Sequence, residues 1–173
     1  MGIEIERKFL VNDWWQLAHG HRCKIEQGYL SVEPARTVRV RVISNELPVR
    51  YERDRRPFSW APAHARITVK GITRGATRSE YEFDVANLDD ARSMIDNLCV
   101  ARLEKIRLTH HAITGEIWEI DEFMGNNFGL VVAEIELSSE NQVITIPDWI
   151  GAEVTHDPRY YNSNLAVNPV NTW

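Results

Sequence analysis

Acidic and basic side chains recur at every second position in several short runs of this sequence, and those runs carry its most suggestive chemistry. Glu4, Glu6 and Lys8 form the first. In an extended chain, residues i, i+2 and i+4 share a face, so these three project together while Ile3, Ile5 and Phe9 project the other way. The pattern returns at Arg39 and Arg41, at Thr68 and Lys70, at Arg78, Glu80, Glu82 and Asp84, at Lys105 and Arg107, at Glu119 and Asp121, and at Glu134 and Glu136. Opposite them stand apolar residues such as Val40, Val69, Phe83, Ile120 and Ile135. Clustered carboxylates are hard oxygen ligands that favour Mg²⁺, Mn²⁺ or Ca²⁺ over zinc. Guanidinium and ammonium groups bind phosphate oxygens, arginine through two donors at once and lysine as a point charge. Eight acids (Glu4, Glu6, Glu80, Glu82, Glu119, Asp121, Glu134, Glu136) face seven bases (Lys8, Arg39, Arg41, Lys70, Arg78, Lys105, Arg107). Two divalent cations would take that set to about +3, which suits a polyanion such as a triphosphate.

The elements that must position these groups are mostly short strands of period two. They are expected at Ile3–Val11, Arg22–Val32, Thr37–Ile43, Arg66–Ile72, Arg78–Val85, Arg102–Leu108, Glu116–Glu122 and Leu130–Leu137. Gly75 suits a hairpin turn between the fourth and fifth. One clear helix follows Asn87, a good N-cap with Asp89 and Asp90 behind it and Leu88, Ala91, Ile95 and Leu98 near helical spacing. A short helix after Asp13, with Trp14, Trp15 and Leu17, and another near Arg159–Val167 complete the expected elements. The segment from Pro147 onward otherwise reads as turns. Ser44–Ala65 reads as an irregular insertion, with Pro48, Pro57 and Pro62 and a run of four arginines broken by Glu52 and Asp54. Little helix and about eight strands point to an antiparallel barrel or sandwich. The pattern alone leaves two closures open: an ordinary sheet with its charged face in water, or a barrel with that face inward.

The chain has 173 residues and reads as one domain, 1–173. Its formal charge of −5 argues against a nucleic-acid binder held by phosphate contacts. No apolar run approaches the ~18 residues of a membrane-spanning helix. Met1–Lys8 lacks signal-peptide anatomy, and Glu6 breaks the myristoylation pattern. The two cysteines, Cys23 and Cys99, are too few for a disulfide framework and fit a reducing, cytoplasmic setting. The six histidines show no metal spacing. Phosphate-binding glycine loops and nucleophile elbows are absent.

Glu4-Ile5-Glu6-Arg7-Lys8 resembles the E-x-E-x-K signature of the CYTH domain, the triphosphate tunnel metalloenzymes. Gln27-Gly28-Tyr29-Leu30, Arg39-Val40-Arg41, Thr68-Val69-Lys70-Gly71, Arg78-Ser79-Glu80-Tyr81-Glu82, Glu104-Lys105-Ile106-Arg107, Trp118-Glu119-Ile120-Asp121, Ala133-Glu134-Ile135-Glu136 and Gly151-Ala152-Glu153-Val154-Thr155 resemble the bacterial form in the same order. The insertion at 44–65 departs from it. The resemblance implies a mainly β fold: an eight-stranded, closed antiparallel barrel with a charged lumen and a few flanking helices. It implies one or two Mg²⁺ or Mn²⁺ ions held by Glu4, Glu6, Glu119, Asp121, Glu134 and Glu136. Lys8, Arg39, Arg41, Lys70, Arg78 and Arg107 would bind phosphate, with Tyr29 beside them. Lys105 would help activate water, Glu80 would pair with arginine, and Asp157 and Arg159 would organise the C-terminal segment.

The activity so implied is metal-dependent hydrolysis of inorganic tripolyphosphate to phosphate and pyrophosphate. The expected partner is a small triphosphate, with no nucleic acid or membrane, and the protein a monomer or homodimer. Competing activities are a class IV-type adenylyl cyclase, a thiamine or nucleoside triphosphatase, with Trp60, Phe58 or Tyr51 stacking on the organic group, and a non-catalytic polyphosphate-binding module. The His-Phe often found ahead of the acidic signature in the cyclases is missing here, where three residues precede Glu4.

Overall fold

A computed structural model describes residues 2–12, 20–46, 60–72 and 74–173. The strands are β1 (Gly2–Val11), β2 (His21–Ser31), β3 (Arg36–Glu46), β4 (Trp60–Gly71), β5 (Thr77–Val85), β6 (Ala101–His111), β7 (Ile117–Phe123), β8 (Val131–Glu136) and β9 (Ile150–Glu153). The helices are α1 (Leu88–Asn97) and α2 (Asn162–Val167), and short 3-10 turns include Pro158–Tyr160.

The sheet closes through β1. One edge of β1 pairs with β8, from Glu6↔Glu136 to Leu10↔Val132. Its other edge pairs with β5, from Gly2↔Glu80 to Ile5↔Thr77. All eight strands β1 to β8 thus form one antiparallel ring in the order β1-β5-β4-β3-β2-β6-β7-β8. The short β9 takes the part of β1 that β5 leaves free, with Phe9↔Glu153 and Val11↔Ile150. Closure removes the unpaired edges of an open sheet and puts alternate side chains of every strand inside.

The outward apolar faces need cover, and two packed clusters supply it; a third fills one end of the barrel. Phe9, Leu108, Trp118, Ile120, Ile135 and Ile150 pack on the side of β1, β7 and β8, with Trp149 against them. Phe9 and Trp118 meet edge to face at 5.7 Å between ring centroids. On the opposite side, α1 lays Ala91 and Ile95 over Val40, Val42 and Ala65. That helix starts as its sequence suggests, with the Asn87 side chain accepting from the Asp89 backbone N–H at 2.9 Å. Just beyond it, Cys99 crowds Gly28: a Cβ there would meet the Cys99 sulfur at 2.5 Å, so glycine permits the approach.

The third cluster lies inside the barrel. Leu103, Phe123 and Val132 share the inward face with Lys105, Asp121 and Glu134, one step nearer the end of the barrel. Leu165 of α2 enters among them and is fully buried. The C-terminal segment therefore caps part of that end. Asp157 starts it, its carboxylate accepting from the Arg159 backbone and gripping the Arg159 guanidinium.

The structure differs from the sequence reading at three places. The β3–β4 hairpin runs on through the ends of the expected insertion, from Ile43↔His64 to Glu46↔Trp60, with a bulge after Ile43. β9 falls in the segment read as turns, because four residues containing Gly151 and Ala152 carry no strand signal. The C-terminal helix shortens to a 3-10 turn followed by α2. The expected helix after Asp13, the arginine run, Phe58 and Tyr51 lie outside the described residues. Gly75 does form the β4–β5 turn, at φ 64°.

Leu165→Ala should destabilise the fold by ~2–5 kcal/mol, through lost burial and the cavity left in the barrel end. Urea unfolding followed by tryptophan fluorescence checks this, and a loss under ~1 kcal/mol would mean α2 is not part of the core.

Candidate active site

Two cavities occupy the barrel interior and run into one another. The first, about 650 Å³, is walled by Glu4, Glu6, Arg41, Glu134 and Glu136 among others. The second, about 470 Å³, carries Lys8, Tyr29 and the C-terminal residues His156, Tyr161 and Asn162. Glu6, Arg39, Lys70, Arg78 and Asn162 line both and mark the throat between them. The first is almost wholly charged. The second adds apolar Val32, Pro34 and Ile72.

Strand register fixes which charges meet. Lys8 stands opposite Glu134, Glu4 opposite Arg78, Lys70 opposite Glu80, and Arg107 opposite Asp121. The result is a continuous ladder of alternating sign. Lys70 bridges Glu80 and Glu4, at 2.8 Å each. Arg78 bridges Glu4 at 2.7 Å and Glu6 at 2.8 Å. Lys8 bridges Glu6 at 3.2 Å and Glu134, and Arg107 binds the other Glu134 oxygen at 2.9 Å. Arg107 also grips Glu119 and takes both Asp121 oxygens, each at 2.7 Å. A second patch joins Arg41 and Arg66 through Glu82, at 2.7 and 2.9 Å.

The ladder sets the ionisation of its members. Burial alone would raise the Glu4 carboxyl, but Lys70, a hydrogen bond with Glu80 and Arg78 hold it far below the usual range. Glu80 moves the other way, raised by burial and by its contact with Glu4. Burial would lower Lys8, yet Glu134 and Glu6 keep it firmly charged. Burial, Arg39 and Arg78 lower Lys70.

Most of the expected site residues come together here. Glu4, Glu6, Glu119, Glu134, Glu136, Arg39, Arg41, Lys70, Arg78 and Arg107 all line the first cavity. Lys8 and Tyr29 line the second. Tyr29 is buried, and the Gln27 amide donates to its hydroxyl at 2.9 Å. Asp121 and Lys105 are placed otherwise. Both are buried behind the wall and line neither cavity, with the Lys105 ammonium 2.5 Å from the Asp121 carboxylate. Asp121 spends its oxygens on Lys105 and Arg107, and Lys105 rests against the Phe123 ring. This parts from the expectation that Asp121 ligates an ion and Lys105 faces a reacting water. The geometry gives the pair the task of holding Arg107. Burial and Arg107 lower the Lys105 pKa against the pull of Asp121.

Arg66, Tyr81, Phe83 and Asn162 also line the first cavity and were not singled out from sequence. Arg66 had a signal, since it shares the strand face of Thr68 and Lys70. Asn162 arrives from a distant helix and had none.

The donor set fits a hard divalent cation. Seven carboxylates open on one cavity, among them the expected ion ligands Glu4, Glu6, Glu119, Glu134 and Glu136. Among the described residues no three His, Cys, Asp or Glu side chains converge as ligands, because lysine and arginine hold the acids apart. Glu136 is the exception. Among the described residues it has no lysine or arginine within ion-pair distance, and burial together with Glu4, Glu119 and Glu6 raises its pKa. A carboxylate facing carboxylates is a place where a cation lowers the energy.

The sequence matches the CYTH domain over residues 2–161. It is 41% identical to an inorganic triphosphatase of Acetivibrio thermocellus over 98% of this chain and 96% of that protein. Another inorganic triphosphatase, from Nitrosomonas europaea, is 31% identical over 95% of this chain and 97% of its own length. Among solved structures, an inorganic triphosphatase with 29% identity superposes with a TM-score of 0.63 over 96% of both chains. A protein from Pyrococcus horikoshii, 18% identical, shares the fold at a TM-score of 0.54 over 80% of both chains.

Two outcomes follow from the geometry. Asp121→Asn leaves Lys105 buried without a counter-charge and should cost ~3–5 kcal/mol of stability in urea unfolding. Glu136→Gln removes repulsion that exists only while Glu136 is ionised. A raised folded pKa means the penalty is present above that pKa and absent below the unfolded value of about 4.5. Glu136→Gln should therefore raise the melting temperature in chelator at pH 7–8, with the gain vanishing toward pH 4. An equal gain at both ends would refute the electrostatic cause.

Proposed function

The chain belongs to the CYTH domain family, and from that premise we propose that it hydrolyses inorganic tripolyphosphate to phosphate and pyrophosphate with the aid of Mg²⁺ or Mn²⁺. One observation carries this reading: a two-chambered lumen whose charges are nearly balanced yet include Glu136, a carboxylate without a cation partner among the described residues. The two relatives that are inorganic triphosphatases, matched over almost their full lengths, support the same substrate.

Glu4, Glu6, Glu134 and Glu136, with Glu119 at the rim, would hold one or two ions. When bound, such an ion lowers the pKa of a coordinated water and offsets charge on the phosphate chain. Arg39, Arg41, Lys70, Arg78 and Arg107 then turn from carboxylates toward phosphate oxygens, which makes the ladder a reservoir of donors already in place. Lys8 fixes Glu6 and Glu134 from the second chamber. Lys105 and Asp121 position Arg107 rather than touch the substrate. The water oxygen attacks a terminal phosphorus in line, the bond to the bridging oxygen breaks, and pyrophosphate leaves. The charged walls stabilise the negative charge that moves onto that bridging oxygen.

A second reading has its own observation. The second chamber carries Val32, Pro34, Ile72 and Tyr161 beside the cationic throat, which favours a triphosphate with an organic group at one end. A nucleoside or thiamine triphosphatase would use it so.

Purified protein supplied with tripolyphosphate, ATP or thiamine triphosphate, with Mg²⁺, Mn²⁺ or chelator, separates these readings. Phosphate and pyrophosphate from tripolyphosphate, abolished by chelator, is the expected result. Cyclic AMP from ATP without tripolyphosphate cleavage, or tight binding without any product, would overturn it. Glu4→Gln and Glu6→Gln should each lower kcat at least ~100-fold while the circular dichroism spectrum is kept. Full activity in both would mean the ions sit elsewhere.

A further inference from the structure

We propose that Asn162 is a substrate-binding residue, whose side-chain amide seats a phosphate at the throat between the two chambers. The inference rests on the triphosphate reading above and adds a residue that lies far in sequence from every charged strand run. Asn162 lines both cavities, together with Glu6, Arg39, Lys70 and Arg78. Two of those bases are already committed: Lys70 to Glu4 and Glu80, Arg78 to Glu4 and Glu6. Asn162 is not. Its Oδ1 is buried and has no hydrogen-bond partner. A buried amide oxygen left unpaired costs free energy and calls for a donor, such as a water or a protonated phosphate oxygen that arrives with a ligand.

The backbone that carries it is held firmly. Leu165, one turn on, is fully buried in the barrel-end cluster, and its carbonyl accepts from the Asn127 amide at 3.0 Å. The same Asn127 side chain accepts from the Val170 backbone at 2.9 Å. Asn164 donates to the Pro158 carbonyl at 2.7 Å. An amide fixed in this way loses little freedom when it binds.

The chemistry suits its place. A carboxamide offers a donor, Nδ2, to an ionised phosphate oxygen and an acceptor, Oδ1, to a protonated one or to a bound water. Being neutral, it adds a donor that no neighbouring carboxylate captures as an ion pair. A phosphate chain reaching from the charged chamber into the throat would therefore meet, beside the unpartnered Arg39 Nε, a second contact that needs no ion pair broken.

The test compares Asn162→Ala and Asn162→Asp with the full wild-type chain. Tripolyphosphate is the probe, read by steady-state kinetics and by calorimetric affinity in Mg²⁺, so a protein that binds without turnover still decides the question. Asn162→Ala should raise KM and Kd about tenfold with kcat little changed, as for a contact made equally in ground and transition states. Asn162→Asp keeps the shape but sets a negative charge against phosphate, and should weaken binding more than alanine does. Melting temperatures of both should stay near wild type, since Asn162 makes no packing contact of the kind Leu165 makes. Affinities within twofold of wild type in both variants would overturn the proposal. So would equal losses in both that track a fall in melting temperature, because that is the mark of a structural role.

Discussion

The fold depends on burying a ring of charges in pairs, with Glu136 at the cavity wall the exception among the described residues. Moving an ion from water into a protein costs several kcal/mol, and an unpaired charge recovers none of it. The barrel meets this constraint by register. Antiparallel pairing sets Lys8 beside Glu134, Glu4 beside Arg78, Lys70 beside Glu80 and Arg107 beside Asp121, so each strand supplies the counter-charge its neighbour needs. A slip of one residue on any strand would turn its charges outward and its valines and isoleucines inward. Register, closure and electrostatics are thus a single requirement.

The same pairing makes the lumen useful. A buried ion pair is weak evidence for stability, since apolar residues of equal volume often serve as well. Its retention along a whole ladder is better understood as readiness: Lys8 is held charged, Glu4 and Glu134 are held ionised, and Lys70, Arg78 and Arg107 are each held in place by carboxylates. The division of labour is graded by depth. Glu136 stands with no base beside it at the cavity wall, Glu4, Glu6 and Glu134 are shared between bases, and Asp121 is sealed behind Arg107 and Lys105. The apolar cluster around Leu165 closes the barrel end beneath this layer and keeps water from the Lys105–Asp121 pair.

Much of this was legible in the sequence because strand periodicity is so strict. Alternation in Ile3–Val11 or Arg78–Val85 fixes which side chains share a face, and the strand count and the inward charges follow once the sheet closes. Depth along the lumen was not legible. Asp121 and Glu119 differ by one step on the same face, yet one is sealed and the other opens on the cavity, because only three-dimensional packing decides how far the apolar plug reaches. The burial of Lys105 behind the wall was not legible for the same reason. Asn162 had no periodic signal at all, since a helix tip from the far end of the chain brings it to the throat. Arg66 was within reach of the pattern, since it opens the expected strand Arg66–Ile72 on the face of Thr68 and Lys70.

The central claim is that the charges of the lumen exchange partners, so that cation and phosphate chain are bound together rather than separately. Calorimetric titration of tripolyphosphate tests this most directly, once in chelator and once in saturating Mg²⁺, at fixed ionic strength. The account predicts that Mg²⁺ tightens tripolyphosphate binding at least about tenfold and that tripolyphosphate tightens Mg²⁺ binding by the same factor, as linkage requires. Equal affinity with and without the metal would contradict it.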